Sequence, residues 1–115
     1  MLAITKNLEN EIACDLSAIP VEQRKQHGAT AEQLFAAIQE TRELPNGYAF
    51  RLPEEPEMLL RAAEFINLER LCCPFFNFVL EVEPNGGPLW LKLTGHEEVK
   101  TFLQNQFVKP NLDPT

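Results

Sequence analysis

Two hydrophobic periods run along this chain, one of two residues and one near 3.6, and they divide it into strands and helices. In "EIACDLSAI" (residues 11–19), Ile12, Cys14 and Leu16 alternate with Glu11, Ala13 and Asp15. That is the pattern of a half-buried strand with Cys14 on its apolar face. Pro20 suits the first position of a helix, here "PVEQRKQH", which Gly28 interrupts. Thr30 with Gln33 three residues later reads as a capping box for a second helical piece. Leu34, Phe35 and Ile38 give that piece a short apolar stripe.

"ELPNGYAFRLPEEPE" reads as a turn, a strand and another turn. Asn46-Gly47 is expected to supply positive backbone angles, with Tyr48, Phe50 and Leu52 on one face and Ala49 and Arg51 on the other. The longest helix is expected over 57–72, because Pro74 forces Cys73 out of helical geometry. Phe76, Phe78, Leu80 and Val82 then alternate with Asn77, Val79, Glu81 and Glu83. "EPNGGP" turns the chain, and Leu89, Leu91 and Leu93 alternate with Trp90 and Lys92, a hairpin pattern. Trp90 and Lys92, with Phe75, Asn77 and Val79, define a second sheet face, expected to lie under a helix or to form a dimer surface. Thr94 and Glu97 read as a capping box for a last helix carrying Val99, Phe102 and Leu103. The order strand, broken helix, strand, helix, strand, strand, helix predicts an α+β fold, with helices mainly on one face of a largely antiparallel four-stranded sheet.

The helical period of 57–72 singles out one residue. At ~100° per residue, with Phe65 at zero, Met58, Ala62 and Ile66 fall near ~20°, ~60° and ~100°, and Glu69 falls near ~40°. A carboxylate thus sits in the middle of an apolar stripe, where burial without a partner costs several kcal/mol. Cys72, near ~340°, continues the same face one turn on. Cys73 diverges at the helix end, and adjacent cysteines close a disulfide only with local strain. If the strand bearing Cys14 lies beneath the helix, three sulfurs and Glu69 converge, and thiolates select zinc, copper(I) or similar thiophilic ions. Three sulfurs also suit mercury or arsenite. The structural alternative is that the cysteines pack as small hydrophobes. A helix C-terminus raises a thiol pKa, which argues against an activated nucleophile at Cys72.

Other motifs add little chemistry. His27 precedes Gly28 at an expected helix end, where a cation is favoured, and His96 in "TGHEE" is expected to be exposed. Neither forms a Cys/His arrangement by spacing. Arg70 lies off the stripe and is assigned to surface pairing. "PNGGP" lacks the lysine and following helix of a phosphate loop.

Composition narrows the function class. At 115 residues the chain fits one domain, with an ordered core over about 11–107 and a polar tail, 108–115. The net charge of −7 and the absence of a Lys/Arg cluster disfavour nucleic acid and membrane surfaces as partners. The start of the chain does not read as a signal peptide and no apolar run approaches ~20 residues, so a cytoplasmic location is expected. Thiols stay reduced there. An odd count of three cysteines, two adjacent, also favours free thiols over a disulfide framework.

The block "ERLCCPFFNFVLEVEPNGGPLWLKLTGHEEVKTFL" resembles a family of small bacterial proteins in which E-R-x-C-C-P-F is followed by L-W-L-x-L-T-G and V-K-x-F-L. "IACDLSAIP" and "ELPNGYAFRLP" extend the similarity over residues 12 to 104. The resemblance implies Glu69, Arg70, Cys72, Cys73 and Cys14 as recurrent candidates and lends no activity. His96 stands where that family is expected to carry proline.

The leading expectation is a small cytoplasmic thiol protein that binds a soft metal or metalloid ion, such as zinc, through Cys14, Cys72 and Cys73. Glu69 is a further ligand or an acceptor behind them. The alternatives are an interaction module, as homodimer or adaptor, with structural cysteines, and a thiol-redox protein.

Overall fold

The computed structural model describes residues 14–105. A short 3₁₀ turn, Leu16–Ala18, leads into helix α1 (Val21–Ala36), strands β1 (Glu40–Leu44) and β2 (Gly47–Leu52), and helix α2 (Pro56–Cys72). Strands β3 (Asn77–Val82) and β4 (Leu89–Thr94) and helix α3 (Glu97–Leu103) follow. The four strands form one antiparallel sheet in the order β1-β2-β4-β3. The fold is α+β.

The central pair is set by its apolar alternation. Tyr48 pairs with Leu93, Phe50 with Leu91 and Leu52 with Leu89, and all six side chains join Met58, Ala62 and Phe65 of α2, Leu34 of α1, and Val99 and Leu103 of α3 in one core. Since side chains alternate across a strand, the helices lie against this face. The opposite face carries Trp90, Lys92, Ala49, Arg51 and Glu81. The expected helix over it is not found among the described residues. Its cover is polar: the Arg42 guanidinium lies 4.5 Å from the Trp90 ring centroid, and Lys92 Nζ sits 2.9 Å from Glu81.

The strand expected around Ile12–Leu16 is corrected. Ile12 lies outside the described residues, Cys14 is exposed, and residues 16–18 form the 3₁₀ turn. Asp15 accepts hydrogen bonds from the Ser17 N–H and hydroxyl, local bonds of the kind that compete with a sheet ladder. The fourth strand is instead β1, "ETREL", whose mostly exposed, charged side chains carry no period-two signal. It is held by backbone pairing with β2 and closed by a turn before Gly47.

Three local expectations also change. Helix α1 runs unbroken through Gly28, where an added Cβ would meet nothing within 4 Å. Glycine inside a helix costs only about 1 kcal/mol, and tertiary packing outweighs it. Thr30 is accordingly a buried mid-helix residue, accepting a hydrogen bond from Gln26 Nε2 at 3.3 Å, and caps nothing. Among the described residues positive φ occurs at Asn85 and Gly86, in the β3–β4 turn, and not at Asn46-Gly47. Gly47 is required for another reason: a Cβ there would collide with the Leu93 carbonyl and Thr94 Cα of the paired strand. Finally, Thr94 belongs to β4, and the backbone of His96 forms the N-cap of α3, with no side-chain capping bond.

Helix α2 follows its pattern closely. Pro56 occupies the first turn, and Met58, Ala62, Phe65, Glu69 and Cys72 are its buried residues, spaced four and three apart. Cys73, at φ −130°, ψ 68°, leaves helical geometry immediately before Pro74. Phe75 and Phe76 then pack edge-on against each other, and Phe75 also meets Phe102 of α3 edge-on.

Candidate functional site

The C-terminal turn of α2 is where the apolar stripe becomes polar. Glu69, placed in mid-stripe by its helical position, is 7% exposed. Its burial is resolved by a residue on the neighbouring helix: His27 of α1 donates from Nε2 to Glu69 Oε1 over 2.7 Å. His27 is itself 5% exposed and stacks on Phe65, with ring centroids 5.6 Å apart and planes 16° from parallel. Phe65 and Glu69 are four residues apart, so they present one face, and the imidazole lies along it.

His27 is the functional candidate that spacing did not reveal, and its placement at a helix end is corrected: it lies within α1. The break assumed at Gly28 hid it. Drawn as one helix, His27, Thr30 and Leu34 fall three and four residues apart on a single buried face. The outer imidazole nitrogen, Nδ1, is buried without a hydrogen-bond partner, an arrangement that costs about 1–3 kcal/mol. Beside it, Gln23, Gln26, Thr30, Glu64, Asn67 and Leu68 line a pocket of about 230 Å³ between α1 and α2.

On the inner side of Glu69 lie the sulfurs. The Cys72 thiol donates toward Glu69 Oε1 at 3.7 Å, and Cys73 Sγ lies 3.2 Å from Glu69 Oε2. The two sulfurs are 3.5 Å apart. Cys14, two residues before the 3₁₀ turn, is disulfide-bonded to Cys73. The Asp15 N–H donates to the Cys72 carbonyl at 2.8 Å, so backbone and disulfide together fasten the residues before α1 to the end of α2. One ligand atom from each of Cys14, Glu69, Cys72 and Cys73 falls within 4.8 Å of the others. This cluster has the composition to bind a metal or to form a disulfide.

Two expectations are corrected here. Cys14 is exposed and comes in from the 3₁₀ segment, not from a strand under the helix. Two of the three thiols are oxidised, where three free thiols were expected; the odd count is explained by Cys72, which stays free and buried. Spacing argued against pairing within the adjacent Cys72–Cys73, and the pairing that forms joins residues 59 apart in sequence.

Burial pushes the Cys72 thiol up to about 12, helped by the charge of Glu69 and by the hydrogen bond to it. Both effects disfavour a thiolate, the first by desolvation and the second by like charge. Outside the cluster, Arg70 donates to Asn67 Oδ1 at 3.2 Å on the exposed side of α2. His96 is exposed and pairs with Glu98 at 2.8 Å. No helix among the described residues is long and apolar enough to cross a membrane.

No protein-family model, curated protein or solved structure matches the chain.

Proposed function

We propose that this protein binds a soft metal or metalloid ion through Cys14, Cys72 and Cys73, and that the Cys14–Cys73 disulfide is the closed form of that centre. The observation that carries the reading is the approach of three sulfurs and one carboxylate to within 4.8 Å of one another. Thiolate ligands match thiophilic ions in softness, and Zn–S bonds of about 2.3 Å fall within the span of such a cluster. Opening requires a dithiol reductant, which delivers two electrons and two protons to the disulfide and is itself oxidised to a disulfide. Cys14 is the exposed residue of the disulfide; Cys73 is 0% exposed and the free Cys72 2%.

The redox alternative, in which Cys72 attacks the disulfide, has proximity in its favour: 3.5 Å separates Cys72 Sγ from Cys73 Sγ. Two facts weigh against it. The thiolate is the nucleophile, and burial and Glu69 push the Cys72 thiol up to about 12, a cost that a metal ion binding Cys72 as a thiolate must also offset. In-line attack also needs the outer sulfurs about 5.5 Å apart, given a disulfide bond near 2 Å. Those of Cys14 and Cys72 lie within 4.8 Å, off that axis.

Native mass spectrometry of the dithiol-reduced protein, exposed separately to zinc, mercury(II) and arsenite, tests the reading. The expected result is a one-to-one adduct that protects all three cysteines from alkylation and does not form on the oxidised protein. A reduced protein with three freely alkylated thiols and an unchanged mass contradicts it.

A further inference from the structure

The seam between α1 and α2 departs from the pattern that packs two helices together. Apolar side chains are expected where helix faces meet. Here α1 contributes Gln23, Gln26, His27 and Thr30, spaced three and four apart on one face, and α2 contributes Glu64 and Asn67 beside Leu68. Leu68 alone is aliphatic. The pocket they line, about 230 Å³, is smaller than the ~300–1,000 Å³ of sites for drug-sized ligands.

A polar seam on a protein surface is ordinarily just solvated, and His27 sets this one apart. It is 5% exposed, its Nε2 is committed to Glu69 at 2.7 Å, and its Nδ1 is buried with no hydrogen-bond partner. Buried polar atoms of native proteins are rarely left unpaired. The pocket is lined by neither Glu69 nor any cysteine, so it is a site separate from the sulfur cluster, on which His27 borders from the other side.

The lining groups select the ligand. Neither lysine nor arginine lines the pocket, and Glu64 brings a carboxylate to it, so phosphates and carboxylates find no counter-charge there. Arg70 is engaged with Asn67 Oδ1 at 3.2 Å on the exposed side of α2. The carboxamides and the Thr30 hydroxyl both donate and accept hydrogen bonds. Nδ1 accepts when the imidazole is neutral and donates when it is protonated. A ligand hydroxyl answers it in either state, whereas an ammonium group only donates and a carboxylate or phosphate oxygen only accepts. The preference for hydroxyl therefore holds whatever the protonation of His27 and Glu69.

We propose that the α1–α2 pocket binds a small uncharged polyhydroxy compound, of a size from glycerol to a monosaccharide, with His27 Nδ1 as the buried hydrogen-bond partner of one of its hydroxyls. Gln23, Gln26, Thr30 and Asn67 supply the remaining donors and acceptors. This site goes beyond the soft-ion reading and does not depend on it.

The experiment is a titration of the full, oxidised chain with glycerol, D-ribose and D-glucose, followed by NMR of the His27 ring nitrogens and the Gln23, Gln26 and Asn67 side-chain amides. At least one of the three is expected to bind one-to-one with a dissociation constant of about 1 mM or tighter, with His27 Nδ1 among the signals that shift most. Thr30→Val, which keeps the shape, is expected to weaken binding about fivefold, the scale of one neutral hydrogen bond. His27→Phe, which keeps a ring against Phe65, is expected to weaken it at least as much, and Glu81→Gln on the outer sheet face to leave it unchanged. No saturable shift from any of the three, saturation by ethanolamine or phosphate instead, or binding that leaves Nδ1 unmoved would each overturn the inference. Should His27→Phe fold poorly, the Nδ1 shift in the unaltered protein and Thr30→Val decide. Metal adducts of the reduced protein are read independently of all these outcomes.

Discussion

The two halves of α2 present the same stripe to the same interior and meet different things there. Met58, Ala62 and Phe65 are 5%, 0% and 1% exposed; Glu69 and Cys72, further along the face, are 7% and 2% exposed. The first three, with Cys72, lie within the core shared with the sheet. The last two meet an imidazole, a disulfide and each other. Equal burial therefore has two physical meanings along one helix. The apolar half gains by removing surface from water at about 25 cal/mol per Å². The polar half must find a partner for each buried group, and it does so everywhere except at His27 Nδ1. Phe65 joins the halves, packing edge-on to Phe35 at 5.4 Å and stacked on His27 at 5.6 Å.

That junction is where the largest effect is expected. Phe65→Ala should cost about 4 kcal/mol in denaturant unfolding, the range for a buried phenylalanine. It should also loosen His27, seen as an altered imidazole NMR shift. Next is the covalent tie: Cys14→Ser removes a 59-residue cross-link, worth about 2–4 kcal/mol by loop-closure arguments, and it should leave Cys73 as a free thiol that is alkylated once the chain is unfolded in denaturant. His27→Phe keeps the stacking on Phe65 and deletes the donor to Glu69, so it isolates the polar half. A loss of about 2 kcal/mol is expected, from a carboxylate left buried without that bond. Loss as large as that of Phe65→Ala would mean that the polar half does more structural work than its partners imply.

A smaller, pH-dependent effect follows from Cys72. Its thiol is held up to about 12 in the fold, against 9.0 when unperturbed. The folded state therefore keeps a proton that the unfolded chain gives up. Stability from this group is complete below pH 9 and declines as the pH rises toward 12. Between pH 9 and 10.5 the decline should be on the order of 1–2 kcal/mol, and Cys72→Ala should flatten the curve relative to the unaltered protein. Smallest of all, Glu81→Gln on the outer sheet face should change stability by less than about 1 kcal/mol, as for other half-exposed ion pairs. These last two outcomes set a buried electrostatic contact against an exposed one.

The same contrast explains what could be read from sequence. Where burial acts through periodicity, as in α2, β2 and β4, the pattern of apolar residues was sufficient, and it placed Glu69 and Cys72 on the inward face. Strand β1 was invisible because its stability comes from backbone pairing, which leaves no apolar mark in "ETREL". Cys14 was misread because the alternation of Ile12, Cys14 and Leu16 is also compatible with a capped 3₁₀ turn, and Asp15 and Ser17 choose the latter by local hydrogen bonds. His27 was missed for a different reason: a glycine was read as an interruption when its cost, about 1 kcal/mol, is easily met by packing. Long-range partners, His27 to Glu69 and Cys14 to Cys73, are tertiary facts that spacing along the chain does not encode.

The three sulfurs, once reduced, are expected to act on a single atom. X-ray absorption at the arsenic edge of the reduced, arsenite-loaded protein measures this directly. Three sulfur neighbours and no oxygen are expected in the first coordination sphere, falling to two sulfurs and one oxygen in Cys14→Ser. An oxygen neighbour in the unaltered protein, or a spectrum that Cys14→Ser leaves unchanged, would contradict a shared centre.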